Sequence, residues 1–293
     1  VAAGDRYSGV WVGDASGNEK FRIENDQRHE SLLFSRDSRE SLVPTREGIH
    51  IWDVASAKHS RSIDTNPFSN IRAMCWAGIN GQWLVAGERY LDSLTVFDAQ
   101  SGSRRGTFNV SASYAKSLAA SSDGMWCTAG YGDGRVQMIE LSGSDDGLVD
   151  GTVHAQWHPH KQDDARLAQS WLDDGSHRFI TAGSDGVVHW WDRDAIVPGR
   201  ELGSADPLEA AYFLDNLPEP VLSPRGQEPV DFPAFMSSPH SADGLVAFAG
   251  SNQIAIVSLR TRQTLAVIDS PLENHQHLSL SPDGSSTGDS AAK

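Results

Sequence analysis

The residues RFITAGSDGVVHWWDRDA, 178–195, constrain this chain more than any other stretch. They read as a strand from Arg178 to Ala182, a tight Gly-Ser-Asp-Gly turn over 183–186, and a second strand ending in Trp191-Asp192. Gly and Asp between two apolar runs are a strong local signal for a β-hairpin. Fading copies recur along the chain. GIHIWDVASAK contains Trp52-Asp53, and SLTVFDAQSG carries Phe97-Asp98 in the same place. GYGDGRVQMIELSG has Ile139-Glu140 there, SGVWVGDASG has Gly13-Asp14, and NQIAIVSLRTRQ keeps only the apolar alternation.

Two further signals accompany the hairpin in a fixed order. Most copies follow a short apolar strand ending in Ala-Gly: VAAG (1–4), LVAG (84–87), CTAG (127–130), ITAG (180–183) and AFAG (247–250). Upstream of several stands another strand with a polar turn: FSRDS (34–38), ASSDG (120–124), WLDDG (171–175), HSADG (240–244) and LSPDG (280–284). The period-two logic is cleanest at 94–97, where Leu94 and Val96 face one side and Thr95 and Phe97 the other. Only Pro207 to Asn216 suggests a helix, and the rest reads as all-β.

A Trp-Asp pair closing a hairpin whose turn Asp185 lies six residues earlier resembles the WD40 repeat, and LSPDG has a form common in that family. The resemblance implies a β-propeller of four-stranded antiparallel blades over residues 1–293 as a single unit. Six repeats are counted, with turns near 5–9, 46–48, 88–93, 131–134, 184–186 and 251–253, and seven blades stay open. The chain opens on a mid-blade strand, VAAG, and ends with a lone first strand, HLSLSPDG (277–284). Propellers of this family commonly complete one blade from both chain ends, so the C-terminal strand is expected to close the ring. A segment cut from a longer array, with both ends unpaired, is the alternative. Trp11, Trp52, Trp76 and Trp191 are then expected in the core.

The interval from Gly183 to Gly250 exceeds one repeat, and the excess carries Pro207, Pro218, Pro220, Pro224, Pro229 and Pro233. Proline cannot donate to a strand ladder. Residues 206–233 therefore read as a short helix and an extended insertion: a wrap over a blade edge, a partner-binding arm or a degenerate seventh blade.

Few residues look like chemistry. His154, His158 and His160, with Asp163 and Asp164, suggest a metal cluster. The resemblance implies another role, a hydrogen-bond chain from His158 or His160 through Thr181 and Asp185 to Trp191. His29, and His275 or His277, fall at similar places in other repeats, and Arg46 stands where one turn Asp is expected. No metal and no cofactor is expected. Gly-x-Ser-x-Gly, P-loop, His-Glu-x-x-His and Cys-x-x-Cys motifs are all absent. GYGDG (130–134) falls on a hairpin turn with no helix after it, unlike a phosphate loop.

Composition narrows the partners. A formal net charge of −15 disfavours phosphate-backbone binding, so a nucleic-acid partner is not expected. No apolar run reaches membrane-spanning length, and no membrane partner is expected. Cys75 and Cys127 sit among apolar strand residues and read as buried reduced thiols, which points to a cytoplasmic setting. The first residue, Val1, suggests a segment excised from something longer.

The expected function is a non-catalytic protein–protein interaction scaffold. Its partner-binding residues are Arg6, Tyr7, Arg46, Arg89, Tyr90 and Tyr131, on hairpin turns that a propeller gathers at one face. An acidic or phosphorylated peptide suits the arginines. A propeller enzyme with a site at the central channel, or a sensor domain of a larger kinase or NTPase, are the alternatives.

Overall fold

The computed structural model describes residues 2–4, 9–14, 18–23, 31–65, 70–89, 91–110, 114–159, 168–171, 177–182, 188–196, 201–202, 209–211, 234–237, 245–249, 253–258, 263–269 and 277–279. The fold is all-β, built on four-stranded antiparallel sheets. Six sheets form among the described residues, each built on a run of successive antiparallel strands. The first holds β1 (Ala2–Gly4), β2 (Val10–Gly13) and β3 (Glu19–Ile23). The second holds β4 (Leu33–Phe34), β5 (Glu40–Thr45), β6 (Gly48–Asp53) and β7 (Lys58–Ile63). The third runs through β8 (Ile71–Ala77), β9 (Trp83–Glu88), β10 (Ser93–Asp98) and β11 (Arg104–Asn109).

The fourth contains β12 (Ala115–Ala120), β13 (Trp126–Tyr131), β14 (Val136–Gly143) and β15 (Val149–Trp157), with β19 (Glu201–Leu202) added parallel at its edge. The fifth is β16 (Ala168–Trp171), β17 (Arg178–Ala182), β18 (Val188–Asp192) and β20 (Glu209–Ala211). The sixth is β21 (Ala234–Ser237), β22 (Leu245–Ala249), β23 (Gln253–Ser258) and β24 (Gln263–Asp269). The last strand, β25 (His277–Ser279), pairs antiparallel with β1, Ala2 opposite Ser279 and Gly4 opposite His277.

The first five sheets pack each on the next through apolar positions. Val10 and Val12 meet Phe34 and Val43, joining the first sheet to the second. Leu42 and Ile51 meet Met74, Leu84 and Phe97. Val85, Leu94 and Val96 meet Cys127, Ala129 and Ile139. Val136, Met138 and Trp157 meet Trp171, Phe179 and Trp191. β16 lies against β21, and β21 and β22 lie against β25. Strands in the middle of such a sheet are therefore covered on both faces. β10 shows it: Leu94 and Val96 are buried toward the fourth sheet, and Phe97 toward the second. Thr95, also buried, satisfies its hydroxyl on Thr107 at 3.2 Å.

Large aromatics fill the space between the fourth and fifth sheets. Trp157, Trp171, Phe179 and Trp191 are all buried, with Trp171 and Phe179 centroids 4.8 Å apart and Trp157 and Trp191 5.1 Å apart. Two indole N–H groups find threonine: Trp191 Nε1 donates to Thr181 Oγ1, and Trp171 Nε1 to Thr128 Oγ1. Of the tryptophans expected in the core, Trp11, Trp76 and Trp191 are buried, while Trp52 is half-buried.

The polar turns are built by one local device. Ser35 and Ser121 donate to Asp37 and Asp123 two residues on, and those carboxylates accept the backbone N–H of Arg39 and Met125. Ser144, Asp146 and Leu148 repeat it. Ser-x-Asp thus folds the turn onto its own side chains. At Gly124, φ is +72° and an added Cβ would lie 2.1 Å from Gly78 O. The Gly78 N–H donates to Gly124 O at 2.8 Å, so the third and fourth sheets touch here backbone to backbone.

The stretch 207–216 departs from the expected helix. Glu209–Ala211 is instead the fourth strand of the fifth sheet, Ala210 opposite His189. The unpaired edge of β18 supplies a ladder that outweighs the local helical preference. The rest of the expected insertion at 206–233, residues 206–208 and 212–233, lies outside the described residues.

Candidate functional site

Hairpins and first-strand entries meet at one end of the sheets. In the third sheet Ile71, at the start of β8, is the register partner of Glu88, which opens the 89–92 hairpin. In the fourth, Ala115 at the start of β12 is the partner of Tyr131. The β5–β6 hairpin of the second sheet, with Arg46 and Glu47 at its tip, occupies the equivalent place. Arg46 is exposed and Arg89 half-buried, and both already engage neighbouring groups. The Arg89 N–H donates to Asn70 O, which ties the hairpin to the entry of β8.

Of the expected partner-binding residues, Arg46 and Arg89 therefore stand on equivalent hairpins of adjacent sheets. Arg6, Tyr7 and Tyr90 lie outside the described residues. Tyr131 is a correction. It is fully buried, and its hydroxyl donates to Gln137 Oε1 at 2.6 Å. Burial pushes its phenol well above the usual range, so it stays protonated. It closes β13 on the same buried face as Cys127 and Ala129, and serves the core rather than a surface.

Other cations share this end. The Arg72 guanidinium lies 4.8 Å from the Tyr114 ring centroid, joining the entries of the third and fourth sheets by a cation–π contact. The Lys116 side chain lies across Gly132, where an added Cβ would come within 2.6 Å of Nζ. Arg135 pairs with Asp133 at 3.2 Å and stacks 4.9 Å from the Tyr131 ring. Glu47 and Asp92 are exposed acids of the same end. Glu88 is buried there, and burial raises its carboxyl pKa.

The histidine cluster does not assemble in the described part. His154 packs edge-on against Trp126 at 5.0 Å, and His158 is exposed. His160, Asp163 and Asp164 lie outside the described residues, as do His29 and His275. Among the described residues no three His, Cys, Asp or Glu side chains come together as a metal site. The expected blade network is present in one link, Trp191 to Thr181, and Asp185 lies outside the described residues. Cys75 and Cys127 are free and buried, Sγ to Sγ 3.7 Å, across the third and fourth sheets.

Among the described residues, no helix is long and apolar enough to cross a membrane. No protein-family model matches the chain, and no curated protein matches it.

Proposed function

We propose that the six sheets are blades of a closed, WD40-like propeller, and that the protein is a non-catalytic interaction scaffold for an acidic or phosphorylated peptide. Support for the ring comes from the succession of packed sheets and from β25 completing the sheet that β1 begins. Closure of that kind leaves no sheet edge open between first and last blade. The two buried thiols suit a reducing, cytoplasmic setting within the same proposal.

One observation carries the partner assignment. Arg46 and Arg89 stand on equivalent hairpins of adjacent sheets, with Arg72 and Lys116 at the same end. Guanidinium groups offer paired donors to carboxylate and phosphate. The acidic remainder of the surface repels such partners elsewhere and so sharpens selection for this end. Acidic and phosphorylated peptide libraries, screened against the parent and Arg46→Glu/Arg89→Glu, test the assignment. Binding by the parent that the double reversal abolishes supports it. Equal binding by both proteins, or binding by neither, removes it.

A further inference from the structure

At the opposite end of the third and fourth sheets, a groove of about 450 Å³ opens between their turns. That volume falls within the range of small-ligand clefts. One wall is the β8–β9 connection with Ile79, and the other is the 143–148 hairpin with Leu148. Both aliphatic side chains are turned to solvent, 62% and 55% exposed. The half-buried Trp83 indole lies between them, against the backbone of Gly143, where an added Cβ would sit 3.0 Å from Cζ2. Two exposed aliphatics and an indole make up the apolar part of this groove, and Gln82, Asp98, Arg105 and Ser144 line the rest.

On the hairpin side of this groove the charge that no ion pair neutralises is acidic. Within it, Asp98 and Arg105 neutralise each other in an ion pair at 3.0 Å. On the hairpin wall, Asp145 and Asp146 are exposed, and neither forms an ion pair among the described residues. Ser144 and the Leu148 N–H hold Asp146 by hydrogen bonds, and its carboxyl lies below the usual range chiefly through that hydroxyl. Asp150 adds a third exposed carboxylate just beyond the turn.

We infer that this groove is a second binding site, for a linear peptide segment with an aliphatic or aromatic anchor flanked by Lys or Arg. The anchor enters between Ile79 and Leu148 over Trp83, and the flanking cations face Asp145 and Asp146. Apolar burial supplies the affinity, and the carboxylates set orientation and reject acidic segments. The site is separate from the arginine-bearing end and does not rest on it.

The probes are two fluorescein-labelled octapeptide arrays with Leu or Phe at the centre, one flanked by Lys and Arg, the other by Glu. Anisotropy is read on the full chain and its variants. The basic array is expected to bind the parent, and Leu148→Glu to weaken it by about tenfold or more. Asp145→Lys is expected to weaken it about threefold at low salt and less at high salt. Leu148 and Asp145 are exposed, so both variants should melt with the parent. Arg46→Glu/Arg89→Glu should keep this binding while losing any at the other end. Equal affinity for the Glu-flanked array, no binding by either array, or indifference to Leu148→Glu overturns the inference. So does a concentration-dependent parent dimer that Leu148→Glu disperses, since the groove then belongs to a second copy.

Discussion

Trp191 donates its indole N–H to the hydroxyl of Thr181 at 3.0 Å, across two adjacent strands and wholly inside the protein. Removing either partner has a separable cost. Thr181→Val leaves the indole N–H unsatisfied and is expected to cost about 1–3 kcal/mol. Trp191→Ala empties a large core volume and is expected to cost about 3–5 kcal/mol. Trp52, only half-buried, should cost less than Trp191 on the same substitution. Urea denaturation midpoints of the three variants check the order. A Thr181→Val midpoint equal to the parent's contradicts the role given to this bond.

The β1–β25 pairing makes a second prediction. Deleting residues 275–293 strips the partner from β1 and exposes a ladder edge. The melting temperature is expected to fall by roughly 5 °C or more. The truncated chain should also self-associate, visible in sedimentation velocity. A monomer melting with the parent contradicts the proposed closure.

The thiols make a third. Cys75 is pushed well up, first by its hydrogen bond with Cys127 and then by burial. The thiolate is the reactive form, so native protein should resist iodoacetamide. Both residues should be alkylated once urea opens the core, as read by intact mass. Rapid alkylation of the native protein contradicts the packing.

A fourth concerns acid. Asp98 accepts the backbone N–H and hydroxyl of Ser101 and the guanidinium of Arg105, and its carboxyl is held down at about 2 from 3.8. A carboxylate depressed on folding stabilises the protein above its unfolded value. That contribution is fully present above pH 3.8 and is lost as pH falls through about 2. Asp98→Asn should therefore melt below the parent at neutral pH, with the gap narrowing as pH approaches 2. A gap independent of pH contradicts the assignment.

Local patterns in the chain were informative wherever the structure is local. The strand Arg178–Ala182 and its partner ending in Asp192 stand where Gly, Asp and alternation put them. The aspartates of Trp52-Asp53 and Phe97-Asp98 act locally too, each accepting from a serine three residues on and capping the turn to the outer strand. What depends on neighbouring sheets was harder to read. Tyr131 stands beside a turn, yet its alternation with Ala129 and Cys127 already put it on the covered face. Arg72 and Lys116 reach the hairpin end only through register, which no short window contains. Ile79, Trp83 and Leu148 meet across two sheets, so their groove is invisible until those sheets pack. The strand at Glu209–Ala211 exists because β18 offers it an edge.

Ala2 and Ser279 are partners across adjacent strands. A chain leaving this fold at one of them starts almost where it entered at the other. Joined by a short linker, the two ends become an ordinary connection, and the cut can be moved to an exposed turn such as Ser56 without changing any sheet. The same closeness lets the unit be spliced into a surface loop of a host protein, whose own strands on either side of the insertion need hardly part.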